Sequence, residues 1–277
     1  MHNPQDPAIS DEAFERRFGG LRRLHGMDAV ERLEHAHIAV AGLGGVGSWT
    51  AEALARSGVG ALTLIDLDHI AASNVNRQIH ALEATLGQAK VHAMAERIRG
   101  INARCRLTVV DDFVEPDNVT DTLGGDYTAI VDATDQVRAK LAMILHARRR
   151  ATPLIVCGGA GGKTDPLALR AGDLSEAIND PLLARIRNEL RRHHGYPRAG
   201  AAGGKALRRV PKMHVRTLWI AQQQRQPVVS DAACEVNGAA APQGLSCAGY
   251  GSIVTVTAAM GLAAAHEALR QVFPESS

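Results

Sequence analysis

The sequence predicts an α/β fold in which a doubly wound, mostly parallel sheet is followed by a C-terminal extension. Over about the first 165 residues, short apolar and β-branched runs alternate five times with segments of helical spacing. Such alternation is typical of parallel sheets that are covered by helices. A glycine-rich turn follows the first of these runs, as in nucleotide-binding sheets of the Rossmann type. Beyond residue 165 the alternation weakens, which indicates a different arrangement there.

The predicted elements begin with a charged, helix-prone segment at residues 11–36, which glycines at positions 19 and 20 divide into two pieces. Four strands are then predicted at residues 37–42, 61–66, 105–110 and 127–135. Residues 153–162 are predicted to be a fifth strand that runs into a second glycine-rich loop. Helical spacing covers residues 46–57 and 88–102, and a third helix follows the fourth strand. Because glycine commonly follows the last residue of a helix, Gly58 marks the predicted end of the first of these helices.

The C-terminal part has a looser pattern. Residues 174–194 have the spacing of one helix, residues 195–211 resemble a loop rich in Gly and Arg, and residues 213–220 resemble a strand. Residues 221–246 show no pattern that assigns an element. The apolar run at residues 248–265 is as long as a membrane span, but Ala, Gly, Ser and Thr dominate it. This composition favours a tightly packed internal helix, so no membrane span is expected.

A single domain is expected over residues 1–277, although the length alone is compatible with one large domain or two small ones. Its nucleotide-binding core is expected at about residues 15–165, with a substrate-facing part at about residues 166–277. The chain has 45% hydrophobic and 22% charged residues, which lies within the globular range. Its net charge of +2 is too small by itself to indicate nucleic-acid binding.

The cysteines argue against a metal or disulfide framework. The four cysteines lie far apart and form no CxxC pair: Cys105, Cys157, Cys234 and Cys247. We therefore expect no zinc and a reducing, cytoplasmic location, and the polar N-terminus does not resemble a signal peptide. Cys247 lies at the predicted N-terminus of a helix over residues 248–271, and we interpret it as a packed small residue rather than a nucleophile.

The glycine-rich turn predicts a nucleotide site. The sequence Gly42-Leu43-Gly44-Gly45-Val46-Gly47 fits GxGxxG between a strand and a helix. Such glycines let the backbone approach a phosphate, and the helix N-terminus favours its negative charge. Asp66 ends the next predicted strand, at the usual distance for an acid that accepts hydrogen bonds from a ribose. This motif alone does not distinguish NAD from ATP.

The segments that follow favour ATP. Asp66-Leu67-Asp68 leads into Ser73-Asn74-Val75-Asn76-Arg77-Gln78, Lys90 begins a helix, and Asp132-Ala133-Thr134-Asp135 ends the fourth strand. A dehydrogenase has no use for Arg and Lys at the phosphate end of its pocket. A reaction that attacks a phosphate needs them, because negative charge builds up on the phosphoryl oxygens. A nearby acid would hold Mg²⁺ on the leaving phosphates.

Together, GLGGVGSW, IDLDHIAASNVNRQ, GQAK and DATDQ resemble the E1-like adenylating superfamily over about residues 15–165. The resemblance implies an E1-like fold, homodimerisation, and ATP with Mg²⁺ as cofactors. It implies that Asp66 binds ribose, that Asp135 holds Mg²⁺ with Asp132 as the alternative ligand, and that Arg77, Lys90 and Asp135 are catalytic. The expected cofactor-binding residues are Gly42, Gly44, Gly45, Gly47, Asp66, Asp68, Asn74, Arg77, Gln78, Lys90 and Asp132.

Within that superfamily the chain resembles the branch of tRNA threonylcarbamoyladenosine dehydratases. The similar stretches are RFGGLRRLHG, NRQIHAL, VDDFVEPDNV, GGAGGKTDP and SCAGYGS. This resemblance implies that ATP adenylates the threonylcarbamoyl carboxylate on tRNA and that the product cyclises with loss of water. It leaves open an association with a sulfur-transfer or cysteine desulfurase system. Residues 217–245 match the branch poorly, so substrate contacts there stay open.

Clustered basic residues independently favour tRNA as a partner. Between residues 185 and 216 there are ten Lys or Arg residues and one acid, Glu189, and such clusters bind phosphate backbones. The alternative for this segment is a solvated, flexible loop.

Three alternatives remain at this point. A catalytically silent nucleotide-binding or tRNA-binding module is disfavoured by the intact set Asp66, Arg77, Lys90 and Asp135. The other two alternatives are enzymes. One is an adenylyltransferase that activates the C-terminal Gly-Gly of a ubiquitin-like sulfur carrier. The other is an NAD-dependent oxidoreductase, which the lack of a recognisable proton-transfer pair disfavours.

Overall fold

A computed structural model describes residues 9–200, 210–226 and 250–273 of the chain. Its described part contains one seven-stranded sheet. The strands are β1 (His37–Ala41), β2 (Ala61–Ile65), β3 (Arg106–Val110), β4 (Ala129–Asp132), β5 (Leu154–Cys157), β6 (Leu169–Asp173) and β7 (Arg216–Ile220). The described helices are α1 (Asp11–Phe18), α2 (Gly20–His25), α3 (Ala29–His35), α4 (Gly47–Arg56), α5 (Lys90–Ile101), α6 (Val119–Thr122), α7 (Val137–Arg150), α8 (Pro181–His193) and α9 (Val254–Val272).

The sheet order is β3-β2-β1-β4-β5-β7-β6. All neighbouring pairs are parallel except β6 and β7, which are antiparallel. The chain therefore winds outward from β1 in one direction through β2 and β3, and in the other through β4 and β5. Loops that leave β1 and β4 in opposite directions open a crevice at the carboxyl ends of these strands, which is where ligands bind in such sheets. The predicted doubly wound, mostly parallel fold is confirmed.

Alternate residues of the central strands face two different layers. Ile38 and Val40 of β1 belong to a core that includes residues of α4, α5 and α9. Ala39 and Ala41 face a second core that contains Val119 of α6 and Met143 of α7. Successive side chains of β1 point to opposite faces of the sheet, and helices cover both faces. This explains why β1 is apolar at nearly every position.

The predicted internal helix is α9, which packs closely against α4. Val256, Met260 and Ala264 of α9 are fully buried. At Gly261 a Cβ atom would lie 2.4 Å from the Val46 carbonyl oxygen, and the Thr50 hydroxyl donates to the Gly261 carbonyl at 3.0 Å. Small residues such as Gly261, which favoured an internal helix over a membrane span, therefore allow α9 to lie close to α4. Within the described ranges, no helix is both long and apolar enough to cross a lipid bilayer.

Several predicted boundaries are wrong, and local hydrogen bonds explain two of them. Residues 174–194 do not form one helix: Leu174–Glu176 is a separate 3-10 turn, and α8 begins at Pro181. Asp173 and Asp180 cap these two elements by accepting from Ser175 N–H and Leu183 N–H, so each carboxylate starts its own helix. The antiparallel strand β6 was not predicted, since its five residues do not alternate in a way that distinguishes a strand from a loop.

The other ends also differ from expectation. The strand predicted at 127–135 is four residues long. The range 153–162, by contrast, begins with β5 and continues as a glycine-rich loop, as the sequence predicted. Strand β7 starts at Arg216 rather than at residue 213. The long C-terminal helix starts at Val254 and not at residue 248. Cys247, which was expected at that helix N-terminus, lies outside the described residues, as do Cys234 and most of the unassigned stretch 221–246.

Candidate active site

A cavity of about 450 Å³ opens at the carboxyl ends of β1, β2 and β4. Most of the residues predicted to bind the cofactor line it, although they come from five different segments of the chain. The predicted residues that line the cavity are Gly42, Gly44, Gly45, Asp66, Asp68, Asn74, Arg77, Gln78, Lys90 and Asp135. Gly47 and Asp132, which were also predicted to bind the cofactor, are not among the residues that line the cavity.

The glycine turn forms one wall of the cavity and brings the backbone close to it. Gly42 has a φ of +85°, in the left-handed region where a side chain is strained. At Gly47 a Cβ atom would lie 1.7 Å from the Gly42 carbonyl oxygen, whereas at Gly44 it would meet nothing within 4 Å. No side chain caps the N-terminus of α4. Its first-turn N–H groups and the open space at Gly44 therefore suit a phosphate.

Asp66 links the glycine turn to the end of β2. Its Oδ2 accepts a hydrogen bond from the Leu43 N–H at 2.6 Å, and its Oδ1 accepts one from the Asp68 N–H at 2.8 Å. Burial raises the pKa of the Asp66 carboxyl above its ordinary value, and the positive charge of Lys90 opposes this shift. The carboxylate is thus fixed in place by two backbone donors. Each oxygen keeps a lone pair that can accept from a hydroxyl of a ligand.

Lys90 is the buried cation of the cavity. It is 5% exposed, and its Nζ lies 2.7 Å from Asp68 Oδ2 and 3.9 Å from Asp66 Oδ1. A buried ammonium between two carboxylates is held in one position. A phosphate that displaced Asp68 from this ammonium would gain a charge-assisted contact in a site where water screens little.

Arg77 and Gln78 lie on the loop opposite the glycine turn. The Arg77 guanidinium donates to the Ser73 carbonyl at 2.6 Å and to Asn76 Oδ1 at 3.0 Å. The Arg77 carbonyl accepts from the Trp49 ring N–H of α4 at 3.0 Å, which ties the loop to the helix of the glycine turn. Asn74 serves this loop as well, because its Oδ1 accepts from the Ala71 N–H at 3.1 Å. The predicted group at 73–78 is therefore a single folded unit.

Asp132 and Asp135, which the sequence placed together, have different environments. Asp132 and Lys140 are both fully buried and form an ion pair at 2.9 Å. The Thr134 N–H and hydroxyl also donate to Asp132 Oδ1. Asp135 is exposed at the cavity, two residues before α7. Of the two candidates, Asp135 is thus the one that a bound ion can reach from the cavity.

Several cavity residues were not predicted from the sequence. They are contributed by the loop after β3, the start of α7, the loop after β5 and α9: Asp112, Phe113, Glu115, Arg138, Gly158, Gly159 and Thr257. The residues after β3 could have been found, because the carboxyl ends of neighbouring parallel strands share one edge. Thr257 could not have been found, because it comes from a helix remote in sequence that contacts the glycine turn only in the folded chain.

The loop after β5 is shaped by a buried carboxylate. Asp180 Oδ2 accepts from the Gly159 N–H at 2.9 Å, and a Cβ at Gly158 would lie 2.3 Å from the same oxygen. Burial raises the pKa of the Asp180 carboxyl, while the Leu183 and Gly159 N–H groups and the charge of Lys163 lower it. Lys163 is 2% exposed and donates to the carbonyls of Asn179 and Gln222. Glycines at 158 and 159 therefore let this loop approach the N-terminus of α8 beside the cavity.

The basic segment predicted to bind RNA is only partly described. Lys205, Arg208 and Arg209 lie outside the described residues. Arg187 has an internal role, because it donates to the carbonyls of Leu174 and Ala177. Arg185, Arg192 and Arg198 are exposed. Charge counting along the sequence could not separate these two kinds of arginine.

Comparisons with known proteins show which family this chain resembles. The model of the ThiF family matches residues 16–275. A tRNA threonylcarbamoyladenosine dehydratase of Escherichia coli (strain K12) is 42% identical over 271 residues, which cover 97% of this chain and 98% of that protein. A protein of the same name from Haemophilus influenzae is 47% identical over 183 residues, which cover 66% of this chain and 70% of that protein.

The likeness extends to the three-dimensional structure. A crystal structure of Escherichia coli tRNA N6-threonylcarbamoyladenosine dehydratase in complex with ATP matches with a TM-score of 0.79 at 42% identity. The match covers 95% of this chain and 96% of that chain. Both the strand-end cavity and the C-terminal region that carries Thr257 fall within the residues matched by the family model.

Proposed function

This chain belongs to the ThiF family, and on that premise we propose that it is an ATP-dependent tRNA threonylcarbamoyladenosine dehydratase. The carboxylate of the threonylcarbamoyl group attacks the α-phosphorus of ATP, and pyrophosphate leaves. The carbamoyl group then attacks the activated carbonyl carbon, the ring closes, and AMP leaves with the carboxylate oxygen. The modified nucleoside thus loses one water, whose oxygen is carried away on AMP.

The observation that carries the proposal is the convergence of nine predicted ATP-binding residues and the predicted Mg²⁺ ligand Asp135 on one cavity in a chain that matches a dehydratase over nearly its whole length. Asp66 is suited to accept from the ribose hydroxyls, and the glycine turn is suited to hold phosphate. Lys90 and Arg77 would stabilise the negative charge that builds up as the α-phosphorus is attacked. Their catalytic role remains a proposal that mutagenesis can test.

Mg²⁺ fits the donor set of the cavity. Among the described residues, five carboxylates and three cationic side chains line the cavity. The carboxylates are Asp66, Asp68, Asp112, Glu115 and Asp135, and the cations are Arg77, Lys90 and Arg138. Carboxylate oxygens are the protein ligands that Mg²⁺ prefers. We propose that Asp135 holds the ion, which when bound would neutralise the leaving pyrophosphate.

The alternatives have less support. A sulfur-carrier adenylyltransferase would use the same cavity, but the relative matched over 97% of this chain is named for tRNA chemistry. An NAD-dependent oxidoreductase would not need Lys90 and Arg77 at the phosphates. We further propose that the enzyme is a homodimer located in the cytoplasm, and light scattering on the purified protein tests the first of these two points.

The deciding experiment is nucleoside mass spectrometry of tRNA that carries threonylcarbamoyladenosine. After incubation with the enzyme, ATP and Mg²⁺, we expect this nucleoside to lose the mass of one water. Reactions with NAD in place of ATP, or with no nucleotide, are the controls and should leave it unchanged. An unchanged nucleoside in the presence of ATP would contradict the proposal.

A further inference from the structure

A second, larger concavity lies at the amino ends of the strands, whereas the active site lies at their carboxyl ends. Its volume is about 1070 Å³, and it is formed where β5 and β7 begin and where α7 and α9 end. In the part of the chain that the structure describes, no residue lines both this concavity and the active-site cavity. We call it the amino-edge cleft, and its lining includes Arg148, Tyr196, Met213, His214, Arg216 and Arg270.

Among the described residues, cationic side chains outnumber acidic ones in the cleft. Three guanidinium groups line it, and Glu267 is the one acid among its described lining residues. That acid is 6% exposed and is already held by Arg216 through two contacts of 2.9 and 2.6 Å, with Arg270 at 3.6 Å. Arg216 and Arg270 are thus both engaged, and Arg148 is exposed at the rim.

The wall of the cleft is held in a fixed conformation. His214 has a φ of +55°, a backbone conformation that is strained for a residue other than glycine. The flanking Met213 and Val215 N–H groups donate to the Asp173 carboxylate at 2.8 and 3.2 Å. Burial would raise the pKa of Asp173, but these donors together with the Ser175 hydroxyl and N–H outweigh it, so the pKa lies below its ordinary value and the anion is favoured. The turn thus holds the exposed His214 at the cleft.

The floor is apolar and aromatic, while the rim is cationic. Met213 and Val215 are buried in the floor, and the Arg148 guanidinium stacks over the Tyr196 ring at 4.8 Å from its centroid. Guanidinium groups bind phosphate oxygens, and an apolar surface beside them accommodates sugars and bases. This combination matches a nucleic-acid strand better than an acidic polypeptide, which would leave the apolar floor uncovered.

We propose that the amino-edge cleft is a second RNA-binding site, which grips the phosphodiester backbone of the tRNA away from the reacting nucleoside. The inference rests on the proposed function, because only the modified nucleoside and ATP need to enter the cavity of about 450 Å³. The remainder of a tRNA lies outside that cavity and requires other contacts. Lys212, which precedes the wall residue Met213, is exposed and extends the cationic surface.

The test compares Arg148→Glu with Arg99→Glu. Both arginines are exposed and lie in the last turn of a helix, α7 and α5 respectively, so both reversals carry a similar helix-dipole cost. Binding of fluorescently labelled tRNA is measured by anisotropy between 50 and 200 mM KCl. We expect Arg148→Glu to weaken binding by about tenfold, the size of one lost charge-assisted contact. It should also flatten the salt dependence by about one unit of slope or more.

Kinetics separate this proposal from the proposed function. Arg148→Glu should raise the KM for tRNA but leave the KM for ATP unchanged, and Arg99→Glu should change neither. Thermal melting verifies that both variants fold, and Arg148→Gln replaces Arg148→Glu if the reversal does not fold. If the wild-type enzyme dehydrates tRNA while Arg148→Glu binds tRNA as tightly as Arg99→Glu does, the cleft proposal is overturned and the function stands. If the wild-type enzyme leaves the nucleoside unchanged but tRNA binding depends on Arg148, the function fails and the RNA site stands.

An acidic polypeptide is the competing occupant. Polyglutamate of matched charge should displace labelled tRNA only weakly, since it offers no bases or sugars for the apolar floor. Displacement as strong as by unlabelled tRNA, lost in Arg148→Glu, would assign the cleft to an acidic protein segment instead.

Discussion

Two lysines near the active site illustrate how burial decides what a charged side chain does. Lys90 lines the cavity and faces the position of a ligand. Lys140 is fully buried against Asp132 and lies outside the cavity lining. Both lie in the first turn of a helix, Lys90 in α5 and Lys140 in α7, so their sequence contexts are similar. Only the fold distinguishes a residue available to a phosphate from one that is part of the core.

At Lys90, replacement by alanine should reduce turnover by roughly 100-fold or more, because a cation that stabilises transition-state charge would be lost. Arg77→Ala should act in the same way. Pyrophosphate release from ATP with modified tRNA measures the effect. Arg99→Ala, an exposed arginine remote from the cavity, is the control and should retain full turnover. Normal turnover in Lys90→Ala and Arg77→Ala would show that the reacting phosphate lies elsewhere.

At Lys140, replacement by methionine should destabilise the fold rather than change binding directly. It would leave the Asp132 carboxylate buried without its partner, which costs about 3–5 kcal/mol in comparable buried pairs. Urea unfolding of the variant measures this loss. The double variant Lys140→Met with Asp132→Asn removes both charges and should recover part of it. A double variant less stable than Lys140→Met would mean that packing and not charge dominates.

At the scale of elements, the junction of β1, the glycine turn and α4 depends on two glycines with different roles. Gly47→Ala should destabilise the protein strongly, since its Cβ would overlap the Gly42 carbonyl oxygen. Gly44→Ala is the matched control, because its Cβ would enter open space, and it should melt within a few degrees of the wild type. Its effect should be on ATP affinity instead. Melting curves with and without ATP separate the two results.

The contact between α9 and β7 should make stability sensitive to acid. Burial would raise the pKa of Glu267, but its hydrogen bonds to Arg216 outweigh burial, so the folded-state pKa lies below its ordinary value of 4.5. A lowered folded pKa contributes stability that is complete above the unfolded value and is lost as the pH falls through the folded value. We therefore expect the unfolding free energy to fall as the pH is lowered below about 4.5.

Glu267→Gln tests this directly. The variant should be less stable at neutral pH, and its stability should fall less between pH 6 and pH 3 than that of the wild type. Glu12→Gln is the control, because the Glu12–Arg16 pair is 75–77% exposed and such pairs contribute little. Equal acid sensitivity in wild type and Glu267→Gln would assign the effect to other carboxylates.

For the molecule as a whole, the nucleotide core and the C-terminal part share one sheet and one core. Strand β7 pairs with β5, and Val256, Met260 and Ala264 of α9 pack in the same cluster as β1. We propose that the chain folds as one unit, and we predict that residues 1–165 alone remain largely unfolded. Removing α9 and β7 would expose the apolar surface of α4 and β5 to water. Circular dichroism and urea titration of this fragment test the prediction, and a cooperative transition like that of the full chain would contradict it.

Site residues that belong to a local sequence motif were predicted, whereas those that reach the site from a remote part of the chain were not. Gly42, Asp66 and Lys90 were predicted because each follows directly from a strand end or helix start, where local patterns are strong. Thr257 was missed because its place beside Gly45 results from the packing of α9 on α4. Capping by Asp173 and Asp180 was missed as well, since an aspartate before a helix looks the same as an aspartate in a solvated loop.

The sequence by itself determined the alternating fold, the nucleotide-binding edge and the residue types that ATP chemistry needs, because hydrophobic periodicity and glycine turns act over a few residues. Tertiary structure alone decided which of two neighbouring aspartates, Asp132 or Asp135, faces the cavity. It also decided that Arg187 serves the interior, and that Arg148, Arg216 and Arg270 meet at one cleft. The physical reason is that burial and charge pairing depend on segments far apart in the chain, and these meet only when helices and sheet have packed.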